Sequence, residues 1–340
     1  MAYAVLTESL TRRYGSRRGI EDVNLAVSEG SLHGFLGPNG AGKTTTIRCL
    51  LGFLRATTGN ARIFGLDCWR DSRTIKAEIG SIPGDLRLYP WLTGHSALKL
   101  FGRIRRRDIQ AKGKLLADEF ELDLGVKVRQ MSRGMRQKLG LILALAPEPR
   151  LIMLDEPSSG LDPLMQDRFR QMLKRMAARG QTVFFSSHTL NEVEALCERV
   201  AIVRSGRIVA DATLDDLRRQ AKHEFEIVWA DAAGERTPPP PFATLTARSA
   251  ARWVGSVEDG SLRPMLDFLA GKPVSDVRLA RPDLETLFRR YYESDDEPGT
   301  AGPSRPGSAN AASTDAGLNG SVGTPATAAF PAGRASEVRS

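Results

Sequence analysis

At 340 residues, with 41% hydrophobic and 26% charged side chains, the chain is long enough to bury a sizeable core, and its composition is that of an ordinary globular protein rather than a disordered or fibrous one. The longest apolar run, Leu139 to Ala146, is far too short to cross a bilayer, and the opening MAYAVLTESLTRRYG has no basic region followed by an apolar stretch, so no export signal is expected. The net charge of +8 leaves an anionic partner open, either nucleic acid or a membrane surface.

Tyr3–Thr7 and Val23–Val27 are apolar-rich strand candidates, and Ser31–Leu36 reads as a short buried strand. The segment that follows, Gly37 to Thr45 (GPNGAGKTT), fits the phosphate-cradling pattern G-x-x-x-x-G-K-[ST] at Gly37, Gly42, Lys43 and Thr44. Glycines let the backbone wrap a polyphosphate with its N–H groups pointing inward, where a side chain would block the approach. The helix after the loop presents its positive N-terminal end to the same anion. Lys43 can reach the β- and γ-phosphates, and the Thr44 hydroxyl can ligate Mg²⁺. The candidate nucleotide contacts are therefore Gly37, Pro38, Asn39, Gly40, Ala41, Gly42, Lys43, Thr44 and Thr45. Ile47, Leu50, Leu51 and Leu54 recur at i, i+3, i+4 and i+7, which predicts a helix packed on a sheet along that stripe.

A more helical middle is expected from about Leu86 to Ala146. Arg103, Arg105, Arg106 and Arg107 within it carry much of the positive charge and are read as a solvated helix face rather than a dedicated anion patch. Short buried strands follow at Leu151–Asp155, Val183–Ser187 and Val200–Val203. The last is joined through Ser205-Gly206 to Arg207–Ala210 in a two-residue hairpin. Phe169, Met172, Leu173 and Met176 again mark a helix. Strands alternating with helices imply an α/β fold over residues 1–218, with a mostly parallel sheet covered on both faces. Cys49, Cys68 and Cys197 share no metal or redox spacing and are read as reduced thiols.

A smaller α+β unit is expected over 219–292. His223–Trp229 alternates as a half-buried strand, Pro238–Pro241 mark a loop, and Leu262, Met265, Leu266 and Leu269 mark a helix. A last amphipathic turn carries Leu284, Leu287, Phe288 and Tyr291. From 293 to 340 the composition shifts to Ala, Gly, Ser, Pro and Thr, which cannot offset its ordering entropy, so a disordered tail is expected.

Leu151-Ile152-Met153-Leu154 form a buried strand with Asp155 and Glu156 at its C-terminal end, the edge of an open α/β sheet where ligands bind. Asp155 is placed to hold Mg²⁺ through its water shell, and Glu156 to polarise a water for attack on a γ-phosphate.

In their order, these segments resemble the ATP-binding subunit of ABC transporters, particularly subunits paired with separately encoded exporter-type permeases. Gly37–Thr45 matches the Walker A loop, and Met131-Ser132-Arg133-Gly134-Met135 lies where the LSGGQ signature falls. Asp155 and Glu156 match Walker B and its catalytic glutamate. Ser159-Gly160-Leu161-Asp162-Pro163 matches the D-loop, and Val183 to His188 the strand ending in the switch histidine. Tyr14 falls where the family stacks an aromatic on adenine. The likeness is strong over 1–218 and weak beyond, where it includes Pro282 to Phe288.

The resemblance implies a P-loop NTPase cassette with an antiparallel N-terminal β subdomain, a helical subdomain at about 86–146 and a small C-terminal appendage. It implies ATP and Mg²⁺ as cofactors and a head-to-tail pair of cassettes, most simply two identical copies. It further implies a membrane permease as partner, no nucleic acid, and a cytoplasmic location at the inner face of the cell membrane. In that arrangement Ser132 and Gly134 of one copy meet the γ-phosphate held by Lys43 of the other, while Glu156, His188 and Lys43 carry the chemistry. Two departures stand out. No glutamine occurs in Ile79-Gly80-Ser81-Ile82-Pro83-Gly84-Asp85, where the family senses Mg²⁺; Asp85 is offered as a substitute acceptor. In the signature, Arg133 replaces a glycine and Met135 a glutamine. Tyr89, Trp91 and Leu92 form either an apolar docking surface or part of the cassette interior. Two other readings use the same engine, a soluble ATPase acting on ribosomes or DNA and an ATP-sensing regulator. A second cassette or long coiled coils would mark the former, and loss of Glu156 or His188 the latter.

Overall fold

Three β-sheets order the chain, and the computed structural model describes them over residues 2–220, 222–230, 232–280 and Phe288. In chain order the elements begin with β1 (Tyr3–Tyr14), β2 (Arg17–Ser28), β3 (Leu32–Leu36), α1 (Lys43–Leu50), β4 (Thr58–Ile63), β5 (Leu66–Asp67), α2 (Ser72–Glu78) and β6 (Ile79–Ile82). Helices α3 (Gly94–Arg105), α4 (Gln110–Glu119) and α5 (Arg133–Leu145) form the helical middle. They are followed by β7 (Leu151–Asp155), α6 (Pro163–Ala178), β8 (Thr182–Ser187), α7 (Leu190–Leu196), β9 (Arg199–Arg204), β10 (Arg207–Thr213) and α8 (Leu214–Gln220). The C-terminal part holds β11 (His223–Trp229), α9 (Ala233–Arg236), β12 (Ala243–Arg248), β13 (Arg252–Val257), α10 (Leu262–Leu269) and β14 (Val274–Ala280).

The central sheet runs β10-β9-β3-β8-β7-β6. All of its pairings are parallel except β9–β10. Its inner strands β3, β9, β8 and β7 are buried at nearly every position because both faces are covered. Alternate residues enter different cores. Ile152, Leu154, Val183, Phe185, Val200 and Ile202 join the helices α3 to α7, whereas Leu151, Met153, Phe184, Ala201 and Val203 pack against α1 and the N-terminal sheet. That sheet, ordered β2-β1-β4-β5, is antiparallel throughout. The α/β cassette architecture expected from the sequence is therefore present.

Several elements differ in extent. β1 and β2 run well beyond the strand candidates. Register shifts along β1, with Ser9 at φ 48° and Asp22 at φ 50°, put Leu10 out of phase with the earlier buried residues and hide the alternation. Helix α1 stops at Leu50, short of the stripe that reached Leu54. Gly52 (φ +64°) ends it in a Schellman turn, its N–H donating to Cys49 O (3.0 Å) while the Phe53 N–H donates to Arg48 O (2.8 Å). The hairpin at Ser205-Gly206 has both residues at positive φ (48° and 79°), the mirror-image turn that suits twisted strands.

The arginine run is not simply a solvated face. Arg105 Nη2 donates to Ile79 O (2.9 Å) and Arg107 Nη1 to Pro147 O (3.2 Å), pinning α3 to the central sheet and to the end of α5. Burial lowers the Arg105 pKa below its ordinary value. Tyr89 and Trp91 stack with centroids 4.8 Å apart and are 59% and 67% exposed, so they lie outside the interior; Leu92 is half-buried.

The third sheet, β12-β13-β11-β14, surrounds its own core of Phe225, Ile227, Trp229, Trp253 and Met265. β11 has the bounds read from its alternation. Leu266, assigned to the buried stripe of α10, is exposed instead. β12, β13 and β14 escaped the sequence reading because their alternation is broken, with small residues at inward positions (Ala243 and Gly255) and valines at outward ones (Val254 and Val277). Phe288 is buried against the core of the helical side. Leu284, Leu287, Tyr291, the remainder of Pro282–Phe288 and the 293–340 tail lie outside the described residues. Every described residue belongs to one compact unit, Met1–Asp295.

Burial drives the pKa of Cys49 up to about 11 and that of Cys68 to about 12, so both stay thiols. His33, in β3, is 1% exposed, and neither ring nitrogen has a hydrogen-bond partner. Burial first, and the Arg199 charge second, push its pKa down to about 3, so its 3.9 Å approach to Asp211 is not an ion pair at neutral pH.

Substituting Gly52→Ala forces a left-handed alanine whose Cβ would sit 2.5 Å from Cys68 O. The expected cost is about 2 kcal/mol, read as a lower urea midpoint at constant m. His33 has a folded pKa below its unfolded value of 6.5, so the unfolded chain binds the extra proton and stability falls as pH drops from about 6.5 toward 3. Between pH 7 and pH 5, His33→Leu should lose about 2 kcal/mol less stability than the unsubstituted chain. Parallel losses in the two proteins would contradict this account.

Candidate functional site

The carboxyl ends of β3, β7 and β8 lie side by side because these strands are parallel, with Leu36 opposite Ser187 and Asp155 opposite Ser186. The Gly37–Thr45 loop leaves β3 at this edge, Asp155-Glu156 leave β7, and Ser187-His188 leave β8. The sequence separates these segments widely, and the sheet register makes them neighbours.

Within the loop, Gly40 (φ +80°) and Gly42 (φ +109°) adopt backbone that other residues resist, and Gly42 turns directly into α1. Lys43 is buried, yet its ammonium is satisfied. It donates to Gly37 O (2.7 Å) and Pro38 O (3.1 Å) and lies 3.2 Å from Glu156 Oε1. The Thr44 hydroxyl donates to Asp155 Oδ2 (2.8 Å), and the Ser186 hydroxyl to Asp155 Oδ1 (2.7 Å). Asp155 is itself buried. A buried carboxylate with both oxygens engaged by hydroxyls is held in a fixed orientation.

Glu156 has φ 49°, a strained backbone for a side chain with a Cβ. Its N–H donates to Ser186 O (3.2 Å) and Ser186 Oγ (3.1 Å), which hold the residue there. Its carboxylate spans two partners, Lys43 on Oε1 and His188 Nδ1 at 3.3 Å from Oε2. A cleft of about 260 Å³ opens beside these groups, lined by Tyr14, Gly19, Asn39, Gly40, Gly42, Lys43, Thr44, Thr45 and Glu156. Tyr14 forms one wall, half-exposed, with the Arg12 guanidinium 5.1 Å from its ring centroid. Gly19 closes on the same ring, since a Cβ there would lie 2.7 Å from a Tyr14 ring carbon.

Gly37, Pro38 and Ala41 shape the loop from outside the cleft. Gly37 packs on Val203, and Ala41 O accepts from the Gly206 N–H (2.9 Å). Ser132 and Gly134 do not line the cleft either. Ser132 caps α5, its hydroxyl accepting from Met135 N (3.1 Å). Asp85 is engaged by Arg87 through Nη2 (2.8 Å) and Nε (3.0 Å); the site neighbour from that segment is Gly84, where a Cβ would lie 3.4 Å from Asp155 Oδ2.

Four residues here carried no sequence signal of their own: Ser186, Ser158, Glu192 and Gly19. Ser186 was legible only as a polar residue ending an apolar strand. Glu192 on α7 accepts from Ser158 Oγ (2.5 Å) and Ser187 Oγ (2.5 Å), bridging the segments after β7 and β8. Among the described residues no cluster of three or more His, Cys, Asp or Glu side chains could hold a metal. The Thr44 hydroxyl and Asp155 carboxylate are hard oxygen donors. They suit Mg²⁺ sharing its shell with phosphate oxygens and water better than an all-protein cage.

The family described as ABC transporter matches residues 20–159. The daunorubicin resistance ATP-binding protein DrrA3 of Streptomyces coeruleorubidus is 33% identical over 300 residues, covering 84% of this chain and 94% of its own length. A solved ATP-binding subunit of an ABC transporter is similar with a TM-score of 0.61 and 31% identity, over 64% of this chain and 92% of its own. A dimeric ATP-binding cassette in a post-hydrolysis state, bound to ADP and Pi, gives a TM-score of 0.55 at 25% identity, over 62% of this chain and 98% of its own.

Lys43→Ala keeps the loop's glycines but deletes its fixed charge and the two hydrogen bonds to Gly37 O and Pro38 O. Affinity for a nucleoside triphosphate, measured by calorimetry, should fall by about 30-fold or more.

Proposed function

The chain belongs to the ABC transporter ATP-binding family, whose members are ATPases, and on that premise we propose that it powers export through a separate membrane permease. The observation that carries this reading is the convergence of Lys43, Thr44, Asp155, Glu156 and His188 on one cleft edge. Phosphoryl transfer needs positioning and charge neutralisation more than covalent catalysis, and these residue types supply both.

ATP lies with its adenine against Tyr14 and its phosphates along Gly40, Gly42 and Lys43. Lys43 exchanges its carbonyl partners for the β- and γ-phosphate oxygens. Thr44 and Asp155 would hold Mg²⁺, which offsets phosphate charge when bound. Glu156 orients and polarises the attacking water, and His188, already beside the Glu156 carboxylate, contacts the γ-phosphate or that water. The products are ADP and phosphate.

Ser132 and Gly134 lie off this cleft, which fits their meeting a triphosphate held by a neighbouring copy. Two chains facing head to tail place each ATP between the Gly37–Thr45 loop of one and the capped N-terminus of α5 of the other. The dimeric cassette with ADP and Pi supports this arrangement. No helix among the described residues is long and apolar enough to cross a membrane, so the translocation path is assigned to another polypeptide. The stacked, exposed Tyr89 and Trp91, just after the segment beside Asp155, form a face for that permease. The chain then sits at the cytoplasmic side of the membrane, and its sheet at 223–280 forms a small appended domain. A drug-like cargo follows from the daunorubicin resistance named for DrrA3, with its pocket in the permease.

Glu156→Gln should bind ATP with near-normal affinity and release phosphate about 100-fold or more slowly, accumulating as a dimer in size-exclusion chromatography with ATP. Undiminished turnover removes Glu156 from its role. A pull-down from detergent-solubilised membranes that recovers a ribosome or nucleic acid in place of a permease overturns the transport reading.

A further inference from the structure

The signature segment and the turn after Glu156 are bound to each other within one chain, through a residue that breaks the family pattern. Arg133, standing where a glycine is expected, donates from Nη2 to Ser159 Oγ (2.7 Å). Its stem lies over Gly160, where a Cβ would meet Arg133 Cγ at 3.5 Å and Cδ at 3.6 Å. Beneath it Gly134 approaches so closely that a Cβ there would lie 2.7 Å from Gly160 O. One turn along α5, Gln137 Nε2 donates to Pro157 O (2.9 Å). The far side of the same turn is held by Glu192, which accepts from Ser158 and from Ser187, the residue before His188. The Pro157–Gly160 turn is thus clamped between the N-terminus of α5 and the strand end that carries His188.

We propose that Arg133 is a positioning residue that fixes the Pro157–Gly160 turn through Ser159, so that movement of the signature segment is transmitted to the Glu156–His188 pair of the same chain. A glycine could not do this, because it has no side chain to reach the Ser159 hydroxyl. Gly160, at φ +87°, holds a left-handed conformation that glycine adopts without strain, and the Arg133 stem packs over it. The inference rests on the ATPase reading above. It adds to that reading a connection inside one chain between the part that meets a neighbour's nucleotide and the part that handles its own.

The test uses the full chain with Arg133→Ala, Arg133→Lys, Ser159→Ala and the double variant Arg133→Ala/Ser159→Ala. Hydrogen exchange should quicken over peptides spanning 156–162 in Arg133→Ala and Ser159→Ala, while Arg133→Lys, which keeps a donor on a long stem, retains most protection. In steady-state ATP hydrolysis each single alanine variant should lower kcat about three- to tenfold at unchanged Tm and unchanged ATP affinity of the monomer. The double variant should be no slower than either single one, as expected when both act through one bond. Multiplying effects would mean that Arg133 acts by its own charge, and unchanged exchange at 156–162 would mean that it holds nothing; either overturns the proposal. Absence of turnover in the unsubstituted chain would sink the ATPase reading instead. The exchange comparison still decides whether the clamp exists.

Discussion

The Ser186 hydroxyl accepts from the Glu156 N–H and donates to Asp155 Oδ1, so one side chain on β8 fixes the Asp155 carboxylate at the end of β7 and the backbone of the residue after it. The rest of the site is arranged around that bond. With one oxygen of Asp155 taken by Ser186, the other faces the phosphate loop and receives Thr44. With its N–H held by Ser186, Glu156 stays in a left-handed conformation that turns its side chain back between Lys43 and His188. A buried carboxylate is costly unless it is hydrogen-bonded, and each oxygen of Asp155 accepts from a hydroxyl, while the half-buried Glu156 pairs with the Lys43 ammonium.

That bond needs strands in register, and the register depends on two cores. Alternate residues of β7, β8 and β9 are committed to opposite sides, the helical layer and the antiparallel N-terminal sheet. Sliding β7 or β8 by one residue would exchange its two faces and separate Asp155 from Ser186. Arg105 and Arg107 add polar anchors from the helical layer to Ile79 and Pro147. Side chains that look like surplus surface charge in the sequence thus serve as brackets between layers.

The departures from the family pattern fall on the connections between parts, not on the phosphate-handling residues. Arg133 joins the signature segment to the turn beyond Glu156, and Asp85 is engaged by Arg87 beside a glycine whose Cβ, if present, would lie 3.4 Å from Asp155 Oδ2. Lys43, Thr44, Asp155, Glu156 and His188 match the residue types of the family pattern and meet at one cleft edge. The variation therefore falls on side chains that link segments around the site.

The sequence by itself determined the phosphate loop, the buried strands leading into it and into Asp155, the Ser205-Gly206 hairpin and β11. Each of these is a local pattern, either a fixed spacing of glycines and a lysine, an unbroken apolar run or a strict alternation. Those patterns are set by backbone sterics and burial within a few residues, so no distant partner is needed to recognise them. Tertiary structure alone decided the length of β1, whose bulges break the alternation, and the existence of β12 to β14, whose inward and outward positions do not alternate cleanly between apolar and polar. It alone assigned the roles of Ser186 and Glu192, and it alone placed Tyr89 and Trp91 outside the core. In each of these cases the controlling contact comes from residues distant in the chain, and a serine or glutamate shows no local sign of the group that will receive its hydrogen bond.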